Sequence, residues 1–389
     1  ANWSWKDFRD CVFPWGVNHA DLTPKPVLEA YRNMMLLFRM ARPRDESPRL
    51  WLVLPDSFRL GPDSARIHEG LHRSADALLG ANAPFGVINE ESLDRLPANA
   101  AALVWPLAVC PSDTAFERVS AFVMQGGRLL LTGDPRFDAE RKPTRLGRLA
   151  RLGLPDVNEP PAPPFARASA DRARRDVAVS ADGRVLWSRA PVELMEGQGE
   201  RELYRRFLDN APEVGRIRVL PDDGSVLAFD VALADGRALV AVNATERPVQ
   251  VVFPACDGRP EVRATMGAGR TLYVQRDAQG QVVAAEAQGG LSLDGQPVLT
   301  GEGDWATLAL DGHDLRRSAQ VLLLPFGVTG VFGLVREADA DKLEGEVGEF
   351  RAGEWRTLEA QPLVVARGMV RCTSDAVTAR LGPQVVQPS

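Results

Sequence analysis

The chain changes its repeat part-way along, and that change limits the folds open to it. From Arg49 to Asp134, short apolar runs alternate with amphipathic helical stretches. LWLVLP (50–55), Phe85 to Ile88, Ala101 to Val109 and RLLLTGD (128–134) read as strands, and 63–80 and Asp113 to Gln125 as helices. Strands alternating with helices run parallel, and runs this apolar are buried on both faces, so the pattern specifies a parallel sheet covered on both sides. Ser112 or Asp113 caps the second helix and Gly126-Gly127 stops it. Residues 155–172 hold five prolines and read as a domain boundary. Beyond it, apolar runs are punctuated by Asp-Gly at 182, 235, 257, 294 and 311, which is hairpin chemistry. Three strands follow one another in 226–253, and 320–334 is apolar but broken by Pro325 and glycines, so it reads as core strands and turns. The expected fold class is therefore multidomain: α/β first, then all-β.

The N-terminal edge reads differently. Residues 1–22 are loop-like and rich in tryptophan and phenylalanine. Thr23 and Pro24 suit a helix cap and first turn, and Val27, Tyr31, Met34 and Phe38 fall on one helical stripe. The stripe fades at Arg42-Pro43, and Pro43 to Pro48 reads as a linker. One strand–loop–helix unit cannot bury both of its faces alone. It is expected to be the edge of a larger fold whose remainder lies upstream.

Composition narrows the function. The 389 residues carry a net charge of −6, which argues against a general polyanion-binding role, so no nucleic acid is expected as a partner. No apolar run approaches the roughly 18 residues that read as a membrane span, and the start of the chain is not a secretory signal. Cys11, Cys110, Cys256 and Cys372 lie far apart, in neither metal-ligand nor disulfide-framework spacing. A reducing, cytoplasmic setting is the expectation, with no membrane association.

The segment AALVWPLAVCPSDTAFERVSAFVMQGGRLLLTGD (101–134) carries a resemblance to a known family. A strand ends at a proline, a helix ends in Phe-Val-x-x-Gly-Gly, and a strand follows. This resembles the flavodoxin-like, amidotransferase-like trimerisation domain of clan A β-galactosidase-type glycoside hydrolases. Upstream, WSWKDFRDCVFPWGV and the helix after Pro24 look like the last strand, loop and helix of that family's (β/α)₈ barrel. Downstream, GRALVAVNATERPVQVVF is similar to its closing β-sandwich. The resemblance implies a last barrel unit at 1–46, a flavodoxin-like oligomerisation domain at 47–155, an antiparallel β-domain at 173–300 and a C-terminal β-domain at 301–389. It also implies a carbohydrate substrate and a homo-oligomer, with a trimer as one arrangement.

In that family two glutamates on barrel strands four and seven flank the scissile bond. Those strands would lie upstream of Ala1, so no residue here inherits either role and this chain alone is expected to be inactive. The last barrel loop remains: Trp3, Trp5 and Trp15 could offer flat faces to a sugar, and Asp7 or Asp10 could bond its hydroxyls. The alternative is that these tryptophans only fill the barrel mouth.

Other motifs have plainer readings. His68-Glu69-Gly70-Leu71-His72 matches H-E-x-x-H, with Glu90 and Glu91 near the spacing of a third zinc ligand, Glu91 being the one a zinc site would use. A zinc hydrolase is therefore an alternative, but a strand at 85–88 and Gly70 inside the helix are the wrong context, so no metal and no cofactor are expected. Cys110 follows a strand as a nucleophile would, yet no glycine flanks it and Pro111 removes the next N–H. Gly126-Gly127 ends a helix rather than opening one, unlike a phosphate loop. The run DRARRD (171–176) reads as solvated linker, and Trp187, Trp305 and Trp355 as buried residues rather than a sugar platform. A stand-alone carbohydrate-binding or assembly protein is the remaining alternative.

Overall fold

The structure is a computed structural model. It describes residues 42–280 except 57–62, 145–146, 156, 158–176, 196–198 and 257–258, together with the backbone of short strands at 4–18 and of strands between 282 and 386. Two compact units emerge: Glu46–Arg218 with Asp222–Leu227, and the remainder of the chain.

The first unit is a three-layer α/β sandwich. Its strands are β3 (Leu50–Leu54), β4 (Phe85–Asn89), β5 (Ala102–Trp105), β6 (Arg128–Thr132), β7 (Val177–Val179) and β8 (Val185–Ser188), in spatial order β4-β3-β5-β6-β8-β7. All pairings are parallel except β7 with β8. Its helices are α1 (Ser64–Gly80), α2 (Asp113–Met124), α3 (Arg148–Arg151) and α4 (Gly199–Asp209). Alternate strand residues serve opposite faces, as the pleat requires. Leu50, Leu52, Val104, Leu130 and Leu186 pack under α1 and α4, through Ala77, Leu78, Leu203 and Phe207. Val53, Leu103, Trp105, Leu129, Leu131 and Trp187 pack under α2 and α3, through Phe116, Val119 and Leu149. Trp105 and Trp187 are the largest fully buried side chains. Ser112 Oγ accepts from Ala115 N at 3.1 Å, so Ser112 rather than Asp113 caps α2.

The structure differs here from the expected boundary. Residues 177–188 were assigned to a new β-domain, yet β8 pairs in parallel with β6 and the unit continues through α4 to Arg218. The chain after the proline run returns to the same sheet, so the run does not close the unit. Val185–Ser188 is buried along its whole length, which suits an interior parallel strand.

Among the described residues the remainder is antiparallel, apart from β1 (Ser4–Lys6) and β2 (Gly16–Asn18), which pair in parallel within the stretch read as loop. A ten-stranded sheet begins with β9 (Val226–Ala232) and β10 (Arg237–Asn243). It continues through β13 (Thr271–Arg276), β14 (Val282–Ala287) and β17 (Thr307–Leu310) to β22 (Met369–Cys372). This sheet runs across residue 300, where two β-domains were expected to divide. A four-stranded sheet joins β11 (Val249–Phe253), β12 (Val262–Met266), β15 (Leu291–Leu293) and β16 (Gln296–Leu299). Asp-Gly chemistry makes the first hairpin. Gly236 takes φ +91° between β9 and β10, and a Cβ there would lie 1.8 Å from the Arg276 carbonyl oxygen, so only glycine fits.

Candidate functional site

A sheet of this strand order offers ligands a crevice outside the carboxyl ends of its strands, where β3 sits between β4 and β5 and the connections leave in opposite directions. Here that edge is filled by the chain's own polar side chains. Glu90 follows β4 and is 4% exposed. Its Oε1 accepts from Trp105 Nε1 at 2.9 Å and its Oε2 from Asp56 N at 3.1 Å. Asp56 in turn accepts from Glu91 N at 3.2 Å. Burial pushes the Glu90 carboxyl up from its ordinary 4.5 to about 7, against the pull of those two donors.

Next along the edge stands Arg148, 1% exposed. Its Nη1 donates to the carbonyls of Pro135 and Phe137, both at 2.8 Å, and its Nη2 to Pro111 O at 3.0 Å and to Asp113. The guanidinium lies 4.9 Å from the Phe116 ring centre. After β6, Asp134 takes two bonds from Arg136, at 2.9 and 2.8 Å, with Arg189 at 3.5 Å. After β8, Glu193 is 0% exposed and accepts from Thr132 Oγ1. Burial lifts its carboxyl to about 7 as well.

Two carboxylates, Asp56 and Glu90, therefore meet at the switch point, but they do not form a glycosidase pair. Such a pair must face an open site with room for a sugar. Glu90 is sealed, and both its oxygens are held by N–H groups. Outside this edge, a groove of about 630 Å³ runs along α4, lined by Arg201, Glu202, Arg205, Arg206, Asp209, Asn210 and Asp223. Its lining carries no aromatic face on which a sugar ring could stack.

The residues singled out from sequence fall as follows. Trp3, Asp7, Asp10 and Trp15 lie outside the described residues, as does the helix after Pro24; Trp5 lies in β1, where only the backbone is described. The run 171–176 and Trp305 are likewise outside, and Trp355 is described only as strand backbone. His68, Glu69 and His72 are exposed on α1, and among the described residues no three His, Cys, Asp or Glu gather as a metal site. The glycine between those histidines has a packing role: a Cβ at Gly70 would lie 2.7 Å from Leu107 Cδ1. Cys110 is buried, and burial pushes its thiol up to about 11, leaving almost no thiolate near neutrality. Trp187 is core, donating to Gly133 O at 2.7 Å. Among the described residues no helix is long and apolar enough to cross a membrane.

Sequence reasoning missed Arg148, Glu193 and Tyr204, and met Glu90 only as a candidate third zinc ligand beside Glu91. The signal available for both glutamates was position: each lies just past a strand, Glu90 directly after β4 and Glu193 in Pro191-Val192-Glu193 after β8.

No protein-family profile and no curated protein matches the chain. Solved structures do. The cold-adapted β-galactosidase from Rahnella sp. R3 aligns with a TM-score of 0.51 at 15% identity, over 70% of this chain and 48% of that one. A catalytic mutant of Gan42B, a GH42 β-galactosidase from G. stearothermophilus, aligns with a TM-score of 0.50 at 14% identity, over 70% and 48%. At these identities the likeness concerns the fold: a mixed parallel sheet with antiparallel sheets, as in GH42 domains. The chain spans about half the length of these proteins.

Proposed function

We propose that this chain is the non-catalytic C-terminal part of a clan A glycoside hydrolase acting on O-glycosidic bonds. The observation that carries the reading is the fold likeness to two β-galactosidases, which takes in most of this chain and about half of each of theirs. In this reading a barrel segment upstream supplies the two catalytic glutamates. The parallel-sheet unit brings copies together, with a trimer as one arrangement, and helps to wall the active site. Trp3, Trp5, Asp7 and Trp15 contact the carbohydrate at the barrel mouth.

Three features support a scaffold role for the parallel unit. Its ligand crevice is filled by Glu90, Trp105 and Arg148. Its cysteine is a buried neutral thiol. Val87 on edge strand β4 and Met124 at the end of α2 are 51% and 71% exposed, apolar surface suited to contact with another protein. The zinc reading gains no support, because among the described residues no third ligand gathers with His68 and His72.

The test is turnover of a panel of nitrophenyl glycosides by the purified 389-residue chain, with its oligomeric state followed by analytical ultracentrifugation. The expected result is no turnover above buffer and a self-associating chain. Turnover would overturn the non-catalytic assignment. A monomer whose tryptophan fluorescence is quenched by sugars would favour a stand-alone carbohydrate-binding protein instead.

A further inference from the structure

Helices α1 and α4 meet the carboxyl end of β6 at a row of buried oxygens. The row runs Gly70 O, Ser74 Oγ, Tyr204 Oη, Glu193 carboxyl, Thr132 Oγ1, with successive separations of 2.8, 2.9, 2.8 and 2.8 Å. The Ser74, Tyr204, Glu193 and Thr132 residues are each 0% exposed. An oxygen–oxygen contact of this length is a hydrogen bond and needs one proton between its two atoms.

The protons can be counted. Four contacts require four. The hydroxyls of Ser74, Tyr204 and Thr132 bring one each, and the Gly70 carbonyl brings none. Thr132 Oγ1 already accepts from Leu107 N at 3.0 Å, and it lies 3.0 and 2.8 Å from the two Glu193 oxygens, so its own proton points to the carboxyl. Glu193 is the one group in the row able to hold the fourth proton. With it the row is complete: Glu193 donates to Tyr204, Tyr204 to Ser74, Ser74 to Gly70 O, and Thr132 to the other carboxyl oxygen. Without it, one contact sets lone pair against lone pair where solvent cannot relieve it.

The surroundings agree. From α4, Glu200 faces this carboxyl and its charge opposes ionisation. Glu200 is itself paired with Arg73 of α1 at 2.9 Å, and Arg73 also donates to Met195 O at 2.7 Å, so that cation is engaged elsewhere. At the strand ends Arg136 and Arg189 are turned to Asp134. Burial is the largest influence and favours the neutral acid, outweighing the pull of Glu193's own backbone N–H toward the anion.

We infer that Glu193 is a proton-operated latch: it is protonated in the folded chain, its proton ties α1 and α4 to the end of β6, and alkaline conditions loosen that joint. The latch stands on its own, whatever enzyme the chain serves.

Glu193→Gln tests it, because the amide donates to Tyr204 and accepts from Thr132 at every pH. Urea unfolding of the full chain and of the variant is followed through the transition that exposes Trp105 and Trp187. From about pH 5 to about pH 7 the folding equilibrium constant of the variant, relative to the wild type, is expected to rise about tenfold per pH unit and then level off. A ratio that does not change with pH would overturn the inference. Should that variant fail to fold, the infrared spectrum of Glu90→Gln decides. A neutral-carboxyl stretch persisting at about pH 6, where ordinary glutamates are ionised, supports the latch, and its absence sinks it.

Discussion

Glu90 and Glu193 stand past the carboxyl ends of β4 and β8, with three strands between them in the same sheet, and burial lifts both carboxyls from 4.5 to about 7. Each also accepts a backbone N–H, that of Asp56 at Glu90 and its own at Glu193, but their side-chain partners differ. Glu90 is met by two N–H donors, the indole of Trp105 and the amide of Asp56, which can only give protons. Glu193 is met by the hydroxyls of Tyr204 and Thr132, which can give or take one. Burial alone sets how far such a group resists ionising; its partners decide what the proton does once it is there. At Glu90 the proton is a spectator beside bonds that the anion would also accept. At Glu193 it is one of the bonds.

The largest effect should come from breaking the Glu90 end. Trp105→Ala empties a fully buried site and removes one of the two donors, and is expected to cost about 3–5 kcal/mol in denaturant unfolding. A loss below about 1 kcal/mol would mean that Trp105 does not anchor the crevice.

The next effect, taken group by group, is shared by both ends and follows from pH. Each carboxyl has a folded pKa above its unfolded one, so between about 4.5 and about 7 the unfolded chain releases a proton that the folded chain keeps. The stability this supplies is whole below about 4.5 and is lost as pH rises through about 7, at about 3 kcal/mol for each group. Chemical denaturation across that range should show the parallel unit weakening toward alkaline pH. A flat profile would mean that neither group holds its proton in the folded state.

The smallest effect separates the two. At about pH 5, where both acids are neutral in the fold, Glu193→Gln replaces a donor with a donor and should be near neutral. Glu90→Gln turns an NH₂ toward either the Trp105 or the Asp56 N–H, and should cost about 1–2 kcal/mol through the bond it cannot make. Equal costs for the two variants would erase the distinction drawn between them.

Much of the parallel unit was legible in the sequence because each element carries its own signal. Leu50–Leu54 and Arg128–Thr132 are apolar enough to need cover on both faces, and Ile67, Ser74, Ala77 and Leu78 repeat at helical spacing along α1. The strand Val185–Ser188 was assigned to the wrong unit because its partner, β6, lies more than fifty residues earlier, across a proline-rich stretch. The Asp-Gly turns marked hairpins, but not that one sheet would run past residue 300.

The carboxyl-edge residues were illegible for a related reason. The tie between Tyr204 and Ser74 spans 130 positions, that between Thr132 and Glu193 spans 61, and that between Asp56 and Glu90 spans 34. No local pattern announces an acid whose burial is decided at such distances. His68 and His72 drew attention because motif spacing is local, and they prove to be exposed.

Arg148 carries a consequence for anyone wishing to give this sheet a new ligand. Its guanidinium gathers the carbonyls of Pro111, Pro135 and Phe137 and the carboxylate of Asp113, so the connections after β5 and after β6 share one cation. Replacing it with a smaller residue would not open a ready-made cradle. It would leave several carbonyls facing one another, all acceptors and none a donor, where a phosphate or carboxylate would be repelled. A bound guest would have to bring its own positive charge, such as an ammonium or guanidinium group. Grafting a nucleotide onto this unit would mean rebuilding both connections, whereas a designed cationic ligand would need only one vacancy.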